Sequence, residues 1–150
     1  MELISSIHVV FYKQLSLVMI IYNNLIKLEY NPVTDILLVE WPDIFDYASA
    51  EMKQTLQAIV DTIKHYDVKK LLIDSRKSII GISQAEYEAL LKEFNKDLTN
   101  TRLQKIARLE SENLTREAQV KELLPKLKQK TLVDFGTFAS ITEATNWLER

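Results

Sequence analysis

The sequence predicts an α/β protein built on a mixed, mostly parallel sheet with an N-terminal β-hairpin, in the order β-β-α-β-α-β-α-β-α. Three features predict it. The strand-like runs LIKLEY (25–30) and DILLVEW (35–41) flank NPVTD, whose Asn-Pro and Asp favour a tight reversal, so the two runs form a hairpin. Beyond residue 48, stretches with one apolar stripe at three- and four-residue spacing alternate with short apolar runs of strand length. Strands separated in this way by helices are joined by right-handed crossovers, which set them parallel.

Each element follows from its own pattern. Residues 49–66 align Met52, Leu56, Ile59, Val60 and Ile63 on one helix face, leaving Lys53, Gln57, Asp61 and Lys64 to water. VKKLLID (68–74) reads as a strand covered on both faces, because Leu71, Leu72 and Ile73 are continuous. A second helix begins at Ser83, where Ser-Gln-Ala-Glu fits the capping box with Glu86; Tyr87, Leu90, Leu91, Phe94 and Leu98 form its stripe. RLQKIARL (102–109) is the next strand, and residues 113–129 carry a helical pattern through Val120, Leu123, Leu124 and Leu127. Pro125 interrupts that pattern and predicts a kink or two separate pieces. TLVDF (131–135) is the expected last strand, and Ser140-Ile-Thr-Glu143 caps a terminal helix bearing Ile141, Ala144, Trp147 and Leu148.

Composition narrows the function classes. A chain of 150 residues suits one domain, and its net charge of −2 predicts no general attraction to nucleic acid or to an anionic membrane. The lack of cysteine removes disulfides, thiolate nucleophiles and sulfur metal sites, and fits a cytoplasmic setting. Two glycines, Gly81 and Gly136, cannot build a phosphate-cradling loop, and two histidines, His8 and His65, are too few for the usual zinc clusters; no cofactor and no metal is expected. Residues 1–22 are apolar and β-branched, but Lys13 cuts them into runs too short to span a bilayer, and they lack the basic start and cleavage site of a signal peptide. The expectation is an arm or a mis-annotated start over residues 1–21, with translation beginning at Met19, and a folded domain over 22–150.

Candidate chemistry gathers at strand ends. Asp74 and Arg76 lie where open α/β sheets hold ligands, and an enzyme would use them as base and anion clamp. Without a histidine or second carboxylate beside them, a turn-stabilising Asp and a solvated Arg is the simpler reading, so no catalytic residue is assigned. Trp41, Ile44, Phe45 and Tyr47 cluster around one loop, and Ile79, Ile80 and Ile82 make the loop at 75–83 unusually apolar. Sharing one sheet edge, these loops would line a ligand pocket or partner surface, or else close the core over the strand ends. Lys121, Lys126, Lys128 and Lys130 suit a helix C-terminus and offer peripheral contact with an anionic membrane.

The segments IKLEYNPVTDILLVEW, VKKLLIDSR and FASITEATNWL resemble the SpoIIAA-like branch of the STAS superfamily, small α/β proteins related to CRAL-TRIO lipid-binding modules. The resemblance covers about residues 22–149. In the anti-sigma factor antagonists of that superfamily, a partner kinase phosphorylates a serine that opens the helix after an Asp-ended strand. Nine residues on from Asp74 stands Ser83, with Ile82 and Ala85 where that motif has an acid and a glycine. The resemblance therefore implies a non-enzymatic module that binds a small nonpolar ligand or a protein partner, with a homodimer also open. Its alternative is an antagonist switched by phosphorylation at Ser83, a residue that also serves simply as a helix cap.

Overall fold

Chain order and sheet order coincide. The structure, a computed structural model, describes residues 6–11, 17–22, 26–41, 43, 49–128 and 133–150. Its elements are β1 (Ser6–Phe11), β2 (Leu17–Tyr22), β3 (Lys27–Asn31), β4 (Ile36–Glu40), α1 (Ser49–Tyr66), β5 (Lys70–Asp74), α2 (Gln84–Leu98), β6 (Lys105–Leu109), α3 (Leu114–Lys128), β7 (Asp134–Phe138) and α4 (Ile141–Glu149). The strands form one seven-stranded sheet in the order β1 to β7. Pairings β1–β2, β2–β3 and β3–β4 are antiparallel, and β4–β5, β5–β6 and β6–β7 are parallel.

This order fixes where the helices go. Every parallel crossover steps the same way across the sheet, so right-handed connections stack α1, α2 and α3 on one face. There Leu37, Val39, Leu71, Ile73 and Ile106 of the strands meet Ile59, Ile63, Leu90, Phe94 and Leu123 of the helices. After the last strand, α4 folds onto the opposite face and buries Ala144 and Leu148 against Leu72, Ala107 and Leu109. Lys105 of β6 holds the far end of α4, donating from Nζ to the carbonyls of Trp147 and Arg150 at 3.1 and 2.7 Å.

Asp35 closes the β3–β4 turn. It takes the left-handed backbone region with φ 58°, which an aspartate tolerates, and its carboxylate accepts from Tyr30 Oη and from the Lys69 amide at 2.8 and 3.2 Å. The hairpin is thereby pinned to the start of β5.

The expected α/β class, the hairpin and the succession of helices are all present, and two strands stand in front of them. The described parts of the segment expected as an arm are β1 and β2, with Ile20 and Ile21 buried. Several bounds differ, β6 for instance covering 105–109 rather than 102–109. The last strand covers 134–138, where pairing with β6 sets Ile106 opposite Phe135 and Leu109 opposite Phe138, whose ring meets Trp147 at 5.4 Å; of the expected 131–135, residues 131 and 132 lie outside the described residues. The helix α3 is one run through Pro125, not two pieces. Pro125 and Lys121, the residue one turn earlier, are both exposed, so the carbonyl deprived of its amide partner has access to water.

Candidate functional site

The carboxyl edge of the parallel strands gathers several of the side chains singled out above. Asp74 accepts from Arg76 Nε and Nη2 at 2.9 Å each and from the Arg76 amide at 3.2 Å. The side-chain bond from Arg76 holds the Asp74 carboxyl below its ordinary value, so it is a charged, occupied carboxylate and a weak base near neutral pH. Arg76, engaged in turn, locks the loop instead of standing free in solvent. Beside it, buried Ser75 donates to the Leu109 carbonyl at 2.6 Å and ties the ends of β5 and β6 together.

The loops following β4 and β5 do share this edge, since Asp43 Oδ1 accepts from the Ile79 amide at 2.7 Å. Between them lies an open cleft of about 420 Å³ walled by Glu40, Trp41, Asp43, Asp74, Arg76 and Lys77. The isoleucines divide their roles: Ile82 is in the core, Ile80 packs half-buried against it, and Ile79 is 57% exposed. Phe45 and Tyr47, together with Ile44, lie outside the described residues. Ser83 is the N-cap of α2, exposed, its hydroxyl accepting from the Glu86 amide at 3.2 Å.

A more apolar concavity lies under α2 and α3. It has a volume of about 90 Å³, with Ile73, Ile106 and Phe135 of the sheet as its floor. One wall is the α2 stripe Tyr87, Leu91, Phe94 and Leu98; the other is the α3 stripe Arg116, Val120, Leu124 and Leu127. The two helices are bridged by polar contacts near their ends, from Gln84 Nε2 to the Gln119 carbonyl and from Asn95 Nδ2 to the Leu127 carbonyl, each at 3.2 Å. Between these bridges the seam is left to half-buried leucines. Trp41 closes one end, donating from Nε1 to Tyr87 Oη at 3.1 Å and meeting Phe94 edge-on at 6.0 Å.

Three charged side chains are buried around that end. Arg108 of β6 grips Glu117 of α3 through two bonds of 2.9 and 2.7 Å, and the Ser111 amide adds a third at 2.7 Å. Burial alone raises the Glu117 carboxyl, but the bonds from Arg108 and Ser111 outweigh it and leave the group below its ordinary value. Arg116 is different. It is only 8% exposed, its guanidinium stacks over the Tyr87 ring at 5.8 Å, and Nε and Nη1 have no hydrogen-bond partner. Burial lowers its pKa from the ordinary arginine value and raises that of Tyr87.

Among the described residues expected at a site, only Trp41 lines this cavity; Asp74, Arg76, Ile79 and Ile80 line the neighbouring clefts. Tyr87 was legible merely as core, and Arg108, Arg116 and Glu117 went unremarked. A signal for them exists: Arg108 alternates with Ile106 on the covered face of its strand, and Arg116 heads the stripe that continues through Val120 and Leu124. Among the described residues no group of His, Asp and Glu is placed to hold a metal, and no helix is long and apolar enough to cross a membrane. Comparison of the chain with protein-family models, with curated proteins and with solved structures finds no match.

Proposed function

We propose that the chain is a non-enzymatic, STAS-like binding module for a small apolar ligand, held in the cavity between α2, α3 and the sheet. One observation carries this reading: a concavity of about 90 Å³ lined by a continuous stripe from each of two adjacent helices. Protein interiors leave few voids larger than a water molecule. Here the two stripes leave apolar surface without packed neighbours, and an apolar ligand would supply those contacts. Partial exposure of Leu91, Leu124 and Leu127 gives a route in along the seam. The ion-paired state of Asp74 and Arg76 supports binding over catalysis, because neither group is held ready for proton transfer or for an anion.

The test is a titration of the methyl-labelled protein with butan-1-ol. Shifts are expected at Leu91, Leu124 and Leu127, and filling the space with Val120→Phe should abolish them. Shifts scattered over the surface, or identical in the variant, would refute the cavity as the binding site.

A second reading rests on the exposed Ser83 hydroxyl at the α2 N-terminus. A phosphate there meets free amides and the positive end of the helix dipole, which suits an antagonist switched by a partner kinase. Mass spectrometry of protein isolated from its own cells decides it: Ser83 unmodified in every growth phase would end this alternative.

A further inference from the structure

Arg116 is in the wrong place for a cation unless an anion joins it. It occupies the first turn of α3, where the helix dipole is positive and acidic side chains are preferred. Its own amide is already capped by Asn113 Oδ1 at 3.0 Å. Arg108 is no help, being a second cation, and the nearest carboxylate, Glu117, is consumed by Arg108 and the Ser111 amide. The buried cluster thus holds two positive charges against one negative. A buried guanidinium bonded only to the neutral Tyr87 phenol, with Nε and Nη1 unsatisfied, costs more than one paired with a carboxylate, so the protein retains a charge that packing alone would select against.

Arg116 borders a usable space. Arg116 lines both the apolar cavity and the open cleft of about 680 Å³ beside Ser111, Asn113 and Gln119, so it stands at the boundary between them. Tyr87 Oη accepts from Trp41 and from Arg116, which leaves its own proton without an acceptor among the described residues. The rim therefore offers a guanidinium and a phenol as donors, and the cavity behind it is apolar. We propose that Arg116 anchors the carboxylate of a small monocarboxylic acid whose short apolar tail fills the cavity, with Tyr87 donating to the same head group. This deepens the function proposed above and depends on the same cavity. A single negative charge balances the cluster. The tail must be short, since the space is smaller than the roughly 150 Å³ that accommodates benzene in an engineered apolar cavity.

The experiment compares butanoate with butan-1-ol, two probes of equal chain length, by calorimetric or chemical-shift titration of the full chain at neutral pH. Butanoate is expected to bind at least about ten-fold more tightly, the usual worth of a charge-assisted hydrogen bond, and Arg116→Met should reduce that preference to about two-fold or less. Equal binding of the two probes by the wild type would overturn the carboxylate anchor and leave the apolar cavity standing. Binding of neither would overturn both. A preference that survives in Arg116→Met would place the anion elsewhere and equally refute the assignment. The comparison on the wild type needs no variant, so the proposal stays falsifiable even if Arg116→Met does not fold.

Discussion

Arg108 and Glu117 illustrate how one buried pair can govern both stability and its dependence on pH. Neither side chain is more than 7% exposed, and their two bonds join the last covered strand to the first turn of α3. Removing one partner leaves the other charge buried alone, so Arg108→Met should cost about 3–5 kcal/mol in urea unfolding at neutral pH. Glu117 titrates lower in the folded chain than its ordinary value of 4.5. Such a carboxylate gives stability that is complete above the unfolded-state value and is lost as pH falls through the lower, folded-state one. Asp74 has the same sign. The unfolding midpoint should therefore hold steady down to about pH 5 and drop below it, and the drop should be shallower in Glu117→Gln. A drop that begins near pH 6 to 7 would point to a different group.

Among the elements, α2 and α3 show how far local pattern reaches. The beginning of α2 was set by Ser83 and its end by the exhaustion of the apolar stripe at Leu98, both within a few residues of chain. Only half of the capping box forms, the Ser83 hydroxyl accepting from Glu86 while no return bond reaches the Ser83 amide. Ser83→Ala is accordingly expected to lower stability by about 1 kcal/mol, read as a shifted denaturation midpoint with unchanged slope. No change at all would mean that packing of Ile82 and Tyr87 alone positions the helix start. In α3 the stripe was equally legible, but its polar head was not. A charged residue at a stripe position is ordinarily read as the edge of the solvated face, and only the neighbouring helix reveals that Arg116 points inward, over Tyr87. Pro125 does not split α3 for a related reason: its cost depends on whether the orphaned carbonyl can reach water, and at this exposed turn it can.

At the scale of the whole molecule, the sheet has an antiparallel half and a parallel half that meet at β4. All three crossover helices share one face, so the core there is large and continuous from Ile21 to Leu123. The antiparallel half depends on β1 and β2 for its edge. Cutting the chain before Met19 would remove β1 and shorten β2, baring a row of unpaired amides and carbonyls. The shortened protein should be less stable in urea and should self-associate in size-exclusion chromatography, where the full chain gives a lower apparent mass. Indistinguishable profiles would show that β1 adds nothing to the edge.

Element type, order and class were written in short-range pattern: a period of two or of 3.6 residues, a capping serine and a turn aspartate act over fewer than ten positions, so LLI at 71–73 and the stripe at 52–63 declare themselves. The extra pair of strands escaped because residues 1–22 lack clean alternation, and β-pairing depends on a neighbour supplied by later chain. The cavity and its incompletely bonded guanidinium were beyond reach for the same physical reason. They exist because the strand register sets α3 beside α2 and assigns Glu117 to Arg108 rather than to Arg116, and such choices of partner are made across the fold, between residues that the local pattern treats alike.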